Sequence, residues 1–296
     1  MKVLVLLATY NGEKYIRELL TSVFNQKDVS VEVFVADDCS CDGTIAILEE
    51  YSKKYPLRYK VNKQHKGYVY NFLDPLFHKE YMDYDYFALA DQDDYWLENK
   101  LIKAIDLLNE KKKNFYCSNL IIADENLEPI GFMEDESVID KTNKYTYVQE
   151  NIATGCTIVF SKQFLEKLNK YYPKDVTPHD YYLFLLAAFT NDFVYDMHAY
   201  VKYRQHKSNK IGVIRKHKIF NYLKKFFQSD SHQSKLCQEI LNGYGDIISS
   251  EDKEILETMA TYKKNKKAKK ALLKDKRYSK RKQNFFRKIK IRFNKY

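Results

Sequence analysis

The first half of the chain alternates between continuous apolar runs and segments whose apolar residues recur at helical spacing. Continuous apolar runs are typical of strands that are buried on both faces of a sheet. They predict strands at VLVLLA (3–8), VEVFVA (31–36) and YFALA (86–90), and RYKVN (58–62) predicts another. The helical spacing predicts helices at 14–25, from Ile45 onward and at 97–108. This alternation predicts an α/β fold, with a mostly parallel, Rossmann-like central sheet flanked by helices.

The second half of the chain has a less regular pattern. A short strand, TIVF (157–160), is followed by a helix. A strongly apolar helix is predicted at 177–190, with one buried stripe and with His179 and Asp180 at its front. A strand and a polar loop follow within 192–212. Beyond them the pattern is helical and increasingly basic, which predicts a C-terminal helical extension.

Three of the predicted strands end in polar, mostly acidic clusters. The clusters are Thr9-Tyr10-Asn11, Asp37-Asp38 and Asp91-Gln92-Asp93-Asp94. Ligands of parallel α/β sheets bind beyond the carboxyl ends of the strands, so we expect the clusters to meet along one edge of the sheet. A helix cap accounts for a single acidic residue after a strand, but not for three clusters.

The glycine-rich loops that hold phosphates are absent from the sequence. There is no GxGxxG after the first strand and no GxxxxGK[ST] anywhere. Crowded carboxylates repel one another unless a cation lies between them, and Mg²⁺ and Mn²⁺ bind one or two protein carboxylates together with phosphate oxygens. The acidic edge therefore predicts a divalent cation that bridges to a diphosphate.

Composition favours a globular protein in a reducing compartment. Hydrophobic residues make up 45% of the 296 residues, which is enough for a sizeable core. The five cysteines are odd in number and include no CxxC pair, which favours free thiols. The first apolar run is too short for a signal peptide, and no apolar stretch is long enough for a transmembrane helix. We therefore expect a cytoplasmic protein.

The basic character of the chain is concentrated in its tail. The formal net charge is +10. Residues 262–296 contain 17 Lys/Arg and one acidic residue, so the rest of the chain carries about −6. Basic residues alternate with apolar ones at helical spacing, both there and in HKIFNYLKKFF (217–227), which predicts docking on the membrane surface. An inert or homo-oligomer-forming tail is the alternative, and nucleic acid is not an expected partner.

The motifs, in their order and spacing, resemble one known family. The chain contains, in this order, the motifs ATYNG, VADDxSxDGT, LADQDDYW, GCT, PHDYY and YRQHKSNKIG. These motifs are similar to those of the family 2 inverting nucleotide-sugar glycosyltransferases, and most of all to those of the rhamnosyltransferase-like subgroup. The resemblance covers residues 1–215. It implies the type A glycosyltransferase fold, with a nucleotide-sugar half at 1–110 and an acceptor half at 111–215, before the extension at 216–296.

The resemblance also implies residue roles on the donor side. It implies that the nucleotide-sugar is bound by Thr9, Tyr10, Asn11, Asp37, Asp38, Asp91, Gln92 and Arg204. Between the paired aspartates, Asp38 is favoured for the base or ribose. Asp93 is the implied ligand of Mn²⁺ or Mg²⁺, with His206 approaching the metal. The glycine that usually follows the paired aspartates is Cys39 here, which is a poor fit if this position has a positive φ.

On the acceptor side the resemblance implies Asp180 as the catalytic base, with His179 as the second choice and Asp94 and Trp96 near the acceptor. Helix capping by Asp180, anchoring of a helix by Trp96 and a plain loop histidine at 206 are the structural alternatives. The implied reaction moves a sugar from dTDP-rhamnose or a UDP-hexose to a saccharide acceptor, often lipid-linked, at the inner face of the cell membrane. The functional alternatives are a nucleotidyltransferase or a non-catalytic member of the fold, or a protein that binds a membrane or nucleic acid through its basic tail.

Overall fold

A computed structural model describes residues 1–78, 83–134, 143–206, 232–278, 288–289 and 291–295. The contacts divide the chain into two compact units. The first contains residues 1–136, 153–169 and 192–210, and the second contains 137–152, 170–191 and 211–296. The boundary expected at residue 215 and the basic segment 217–227 both lie outside the described residues.

The described part of the first unit contains a nine-stranded sheet. Its strands are β1 (Lys2–Thr9), β2 (Ser30–Asp37), β3 (Leu57–Val61), β4 (Tyr86–Asp91), β5 (Tyr95–Trp96), β6 (Phe115–Ala123), β7 (Pro129–Phe132), β8 (Val159–Ser161) and β9 (Phe193–Arg204). They lie in the order β3-β2-β1-β4-β8-β6-β9-β5, with β7 paired to β6. The four neighbouring strands β3, β2, β1 and β4 are all parallel, and β6 pairs parallel with β9. Antiparallel pairs connect β8 to β4 and β6, β5 to β9, and β7 to β6.

The predicted strands at 3–8, 31–36 and 86–90 are confirmed as β1, β2 and β4. Residues Val3 to Leu7 of β1 are all almost fully buried, because helices cover both faces of the central strand. The register pairs Thr9 with Asp37 and Ala8 with Asp91. The ends of β1, β2 and β4 therefore meet at one edge, as the strand-end clusters predicted.

Among the described residues of the first unit, five helices accompany this sheet. They are α1 (Ile16–Phe24), α2 (Thr44–Ser52), α3 (Tyr68–Leu76), α4 (Lys100–Lys111) and α6 (Lys162–Leu168). The sequence did not predict α3, and it did not predict the strands β6 and β7. Helix α3 begins after Gly67, whose φ of +85° is accessible to glycine at little cost.

The second unit is helical. Its helices are α5 (Lys144–Tyr147), α7 (His179–Phe189), α8 (His232–Tyr244), α9 (Ser250–Thr261) and α10 (Lys266–Lys274). The prediction of one buried stripe on α7 was wrong, since every residue from Tyr181 to Phe189 is buried. The hydroxyls of Tyr182 and Tyr244 lie 3.1 Å apart and join α7 to α8. No helix within the described ranges is both long and apolar enough to cross a membrane.

Candidate active site

Asp37 ties the end of β1 to the turn after β2. Its Oδ2 accepts hydrogen bonds from the hydroxyls of Thr9 at 2.7 Å and Ser40 at 2.6 Å. Its Oδ1 accepts from the backbone N–H of Ser40 at 2.8 Å. Asp37 is fully buried and Thr9 nearly so. Both residues therefore organise the turn from inside, where a nucleotide does not reach their side chains.

The turn after β2 passes through left-handed backbone at a position without glycine. Cys39 has a φ of 66°, so the expected departure from the usual glycine falls on a conformation that costs a cysteine strain. Asn11, with a φ of 48°, closes the facing turn. Its N–H donates to Ser40 Oγ at 2.8 Å, and its Oδ1 accepts from the N–H of Cys41 at 2.8 Å.

Gln92 holds the backbone of Tyr10. Its Oε1 accepts from the N–H of Tyr10 at 2.8 Å, and its Nε2 donates to the carbonyl of Tyr10 at 3.1 Å. Gly12 leaves room for this pair, because a Cβ there would lie 2.4 Å from Gln92 Oε1. The ring of Tyr10 is half exposed at the sheet edge, so it is available to a planar ligand.

Asp38 is saturated by donors from the loop after β3. Its Oδ1 accepts from the N–H of Lys66 at 2.7 Å and from Asn62 Nδ2 at 3.1 Å. Its Oδ2 accepts from the N–H of Gly67 at 2.9 Å and lies 2.8 Å from His65 Nδ1. Burial raises the pKa of Asp38, but the hydrogen bonds outweigh burial, so the pKa lies below its ordinary value. The carboxylate is thus ionised, and its hydrogen bonds are made with the loop after β3.

Asp93 and His206, the two residues predicted to bind a metal, contact each other directly. Asp93 Oδ2 lies 2.8 Å from His206 Nε2, and both side chains keep some exposure. The ring of Tyr15 packs beside His206, with centroids 4.8 Å apart. The two residues predicted as metal-binding are therefore neighbours, although 113 positions separate them in the sequence.

Arg204 is buried, and its guanidinium contacts other groups of the protein. It is 3% exposed, and its guanidinium donates to the backbone oxygens of Asp93 at 2.8 Å and Glu125 at 2.5 Å and to the carboxylate of Glu18. The guanidinium also covers the ring of Tyr15 at 4.5 Å. The geometry therefore does not support the expected direct contact with the nucleotide, because the guanidinium of Arg204 already contacts protein groups.

Asp94 and Trp96 lie inside the core rather than facing an acceptor. Their exposures are 1% and 0%. Lys100 Nζ lies 3.5 Å from the centroid of the Trp96 ring. Burial raises the pKa of Asp94 well above its ordinary value, and the neighbouring Asp93 and Asp91 add to the effect. The acceptor-side expectation for these two residues is corrected, since buried side chains do not contact an acceptor.

One group of three potential metal ligands occurs among the described residues, in addition to the pair Asp93 and His206. Ligand atoms of Asp91, Asp94 and Cys156 lie within 4.8 Å of one another. Burial raises the pKa of both Asp94 and Cys156, and a thiol suits soft metals better than Mg²⁺ or Mn²⁺. Asp93 with His206, and with Asp91 nearby in sequence, offers partly exposed oxygen and nitrogen donors that suit Mn²⁺ better.

Asp180 lies in the second unit, on the first turn of α7. Its side chain is partly exposed, and Oδ1 accepts from the N–H of Tyr181 at 2.7 Å. His179 beside it is buried, and burial lowers its pKa to about 3. A neutral, buried imidazole is a weaker candidate for a base than the partly exposed carboxylate.

The loop of residues 62–67 was not predicted to belong to the site. Its motif, NKQHKG, is polar and follows β3, which pairs parallel with β2. The loop therefore had to leave the sheet at the same edge as the three acidic clusters. That rule could have drawn attention to His65, whose ring lies 4.7 Å from that of Tyr10.

Comparisons with known proteins identify the family and the fold. Residues 4–169 match the sequence model of Glycosyl transferase family 2. The dTDP-rhamnosyl transferase RfbG of Shigella flexneri is 35% identical over 220 residues, which cover 70% of this chain and 73% of that protein.

Two solved structures resemble the fold. One is that of TarS 1–349 of S. aureus in complex with UDP, with a TM-score of 0.59, 22% identity, and coverage of 93% of this chain and 75% of that one. The other is that of the mannosyltransferase PcManGT of Pyrobaculum calidifontis in complex with GDP-Man and Mn²⁺. Its TM-score is 0.54 at 15% identity, and the match covers 98% of this chain and 84% of that one. The predicted type A glycosyltransferase fold is confirmed.

Proposed function

Since the chain belongs to glycosyl transferase family 2, we propose that it moves a sugar, with inversion, from a nucleotide-diphosphate donor to a saccharide acceptor during assembly of a bacterial surface polysaccharide. The similarity to a dTDP-rhamnosyl transferase favours dTDP-rhamnose as the donor, with a UDP-hexose as the alternative. The observation that carries the proposal is the meeting of the strand-end clusters at one sheet edge, with Asp93 and His206 in contact there.

The donor side must stabilise a diphosphate that gains negative charge as it leaves. A divalent ion such as Mn²⁺ or Mg²⁺, held by Asp93 and His206 with help from Asp91, would supply that stabilisation. The protein's own contribution is placement. Arg204 fixes the backbone of Asp93, and Gln92 fixes that of Tyr10. Placement of this kind avoids reorganisation when the charge develops.

The acceptor side must remove a proton from the attacking hydroxyl. We assign this to Asp180, because its carboxylate is partly exposed while the neighbouring His179 is buried and neutral. A general base typically contributes ~10²–10⁴-fold to the rate. In the resulting single displacement the hydroxyl oxygen bonds to the anomeric carbon, the bond to the diphosphate breaks, and the proton passes to Asp180.

The direct test of the function is release of nucleoside diphosphate from a panel of nucleotide sugars, with Mn²⁺ or with EDTA, in the presence of lipid-linked and free saccharides. Asp93→Asn should abolish metal-dependent turnover. Asp106→Asn, which replaces an exposed carboxylate on α4, is the matched control and should leave metal-dependent turnover unchanged. If no nucleotide sugar is consumed under any of these conditions, the proposed function is wrong.

We also place the enzyme at an anionic membrane surface. The exposed lysines of α10 are Lys266, Lys267, Lys270 and Lys274. Lys269 donates to the carbonyl of Arg292 at 2.9 Å and to Asn294 Oδ1 at 2.8 Å, which fixes the segment that carries Phe293, exposed by 62%. Cations beside an exposed aromatic suit the interface of an anionic bilayer, where each charge contributes ~1 kcal/mol.

Sedimentation with vesicles tests this surface. The full chain should pellet with vesicles that contain phosphatidylglycerol and much less with neutral ones. Changing the four exposed lysines of α10 to Gln should release it. The matched control changes four exposed lysines elsewhere to Gln, which gives the same net charge. These are Lys27, Lys53, Lys103 and Lys111. Equal binding of both variants would show that α10 is not the docking surface.

A further inference from the structure

His65 and Tyr10 form a corner at the sheet edge. The ring centroids are 4.7 Å apart and the ring planes are tilted by 57°, so the rings form two walls rather than a stack. Tyr10 is 48% exposed, and the side chain of His65 is 55% exposed. The backbone of Tyr10 is held by Gln92 and the ring of His65 by Asp38. Exposed aromatic rings that are held this firmly are suited to receive a planar ligand.

Asp38 determines which ring nitrogen of His65 carries the proton. His65 Nδ1 lies 2.8 Å from Asp38 Oδ2 and 3.2 Å from the Asp38 carbonyl oxygen. Both oxygens are acceptors, so Nδ1 must be the N–H donor. In the neutral imidazole Nε2 then carries the lone pair. Within the described part of the chain, Nε2 makes no hydrogen bond.

The same carboxylate has no acceptor position left for a nucleobase. Four protein donors, the N–H groups of Lys66 and Gly67, Asn62 Nδ2 and His65 Nδ1, already occupy its two oxygens. An ionised carboxylate offers about four lone-pair sites. Direct recognition of a base by Asp38 would therefore require one of these bonds to break.

We propose that His65 is a specificity-determining residue of the donor site, with Nε2 accepting the N3–H of uracil or thymine while the base lies against Tyr10. Asp38 then acts through His65 as a positioning residue. This inference rests on the proposed function and adds to it the class of base that the site selects. Uracil and thymine present a donor at N3, whereas cytosine presents an acceptor there. Sites that hydrogen-bond a ligand group discriminate strongly against analogues that lack it.

The test compares binding of UDP, dTDP and CDP to the full chain with Mn²⁺, by calorimetry. The wild type should bind UDP or dTDP at least about tenfold more tightly than CDP. His65→Phe keeps an aromatic wall but loses the acceptor, so the preference over CDP should disappear. Asp38→Asn should reduce the preference, because its amide accepts from Nδ1 in only one of two orientations. Gln64→Ala, an exposed neighbour on the same loop, is the control and should keep the wild-type ratio.

Inorganic pyrophosphate, which has no base, separates this inference from the function that it assumes. Its binding with Mn²⁺ should be the same in the wild type and in His65→Phe, which also shows that the variant is folded. If the wild type prefers UDP and His65→Phe retains that preference, the assignment of His65 is wrong and the donor site stands. If the wild type binds no nucleoside diphosphate, the proposed function and this inference both fail.

Discussion

Arg204 donates from Nε to the backbone oxygen of Asp93 over 2.8 Å, and this bond joins the end of β9 to the acidic loop after β4. His206 lies two residues after Arg204 and contacts the Asp93 carboxylate. A buried arginine therefore fixes the distance between the two side chains that we assign to the metal. We expect Arg204 to act on catalysis through that placement.

Replacing Arg204 by Met should lower both stability and metal affinity. The variant leaves the carbonyls of Asp93 and Glu125 without their buried donor, and hydrogen bonds of charged groups are worth ~1.5–3 kcal/mol each. We expect the free energy of unfolding in urea to fall by ~2–4 kcal/mol and the Mn²⁺ affinity of the folded protein to fall as well.

Glu18→Gln is the control for Arg204. The Glu18 carboxylate is 53% exposed, so losing its charge should cost less than ~1 kcal/mol. An Arg204→Met protein with unchanged Mn²⁺ affinity would contradict a positioning role for this residue.

Lys100 should make stability rise with pH between about 7 and 10.5. Burial lowers the pKa of Lys100 to about 7 from an ordinary value of 10.5, and Cys156 and Asp94 offset burial only in part. Between these values the unfolded chain holds a proton that the folded chain does not, so stability increases with pH there. Lys100→Met should remove this rise and should increase the free energy of unfolding by ~1–4 kcal/mol at pH 6. Urea unfolding at pH 6, 7.5 and 9 measures both, and parallel profiles for wild type and variant would refute the assignment.

His179 should act at the acidic end of the stability profile. Burial lowers its pKa to about 3 from an ordinary value of 6.5. The unfolded chain gains a proton as pH falls below about 6.5, whereas the folded chain does not until about pH 3, so stability is lost across that window. His179→Gln should make the loss between pH 6.5 and 4 shallower than in the wild type. The pH dependence of sugar transfer should stay the same, because a buried neutral ring is not the base. A shifted activity profile would instead support His179 as that base.

The sheet and its functional edge were predictable because their signal is local. A continuous apolar run such as VLVLLA is explained by burial on both faces, and Val3 to Leu7 are buried as expected. Parallel pairing then forces the ends of β1, β2 and β4 together. The buried helix α7 was predicted by its apolar residues, although burial on all sides hides the periodicity that would define a single face.

The direction of individual polar side chains was not predictable from local sequence. Asp38, Arg204 and Trp96 all occur in functional motifs, yet each faces the protein interior. The donors that saturate Asp38 come from a loop 24 to 29 positions away, and Arg204 meets Asp93 across 111 positions. A motif shows which side chains are present at the edge of the sheet. The groups that form hydrogen bonds with those side chains come from distant segments of the chain.

One paired measurement tests whether Asp93 binds the metal while Asp180 acts as the base. Mn²⁺-dependent binding of the nucleoside diphosphate and the rate of sugar transfer are measured for Asp93→Asn and Asp180→Asn, with the exposed Asp246→Asn as control. We predict that Asp93→Asn loses metal-dependent binding and transfer together. Asp180→Asn should bind as the wild type does while its transfer rate falls by ~10²–10⁴-fold. Wild-type transfer by Asp180→Asn would show that Asp180 is not the base, and wild-type metal-dependent binding by Asp93→Asn would show that Asp93 does not bind the metal.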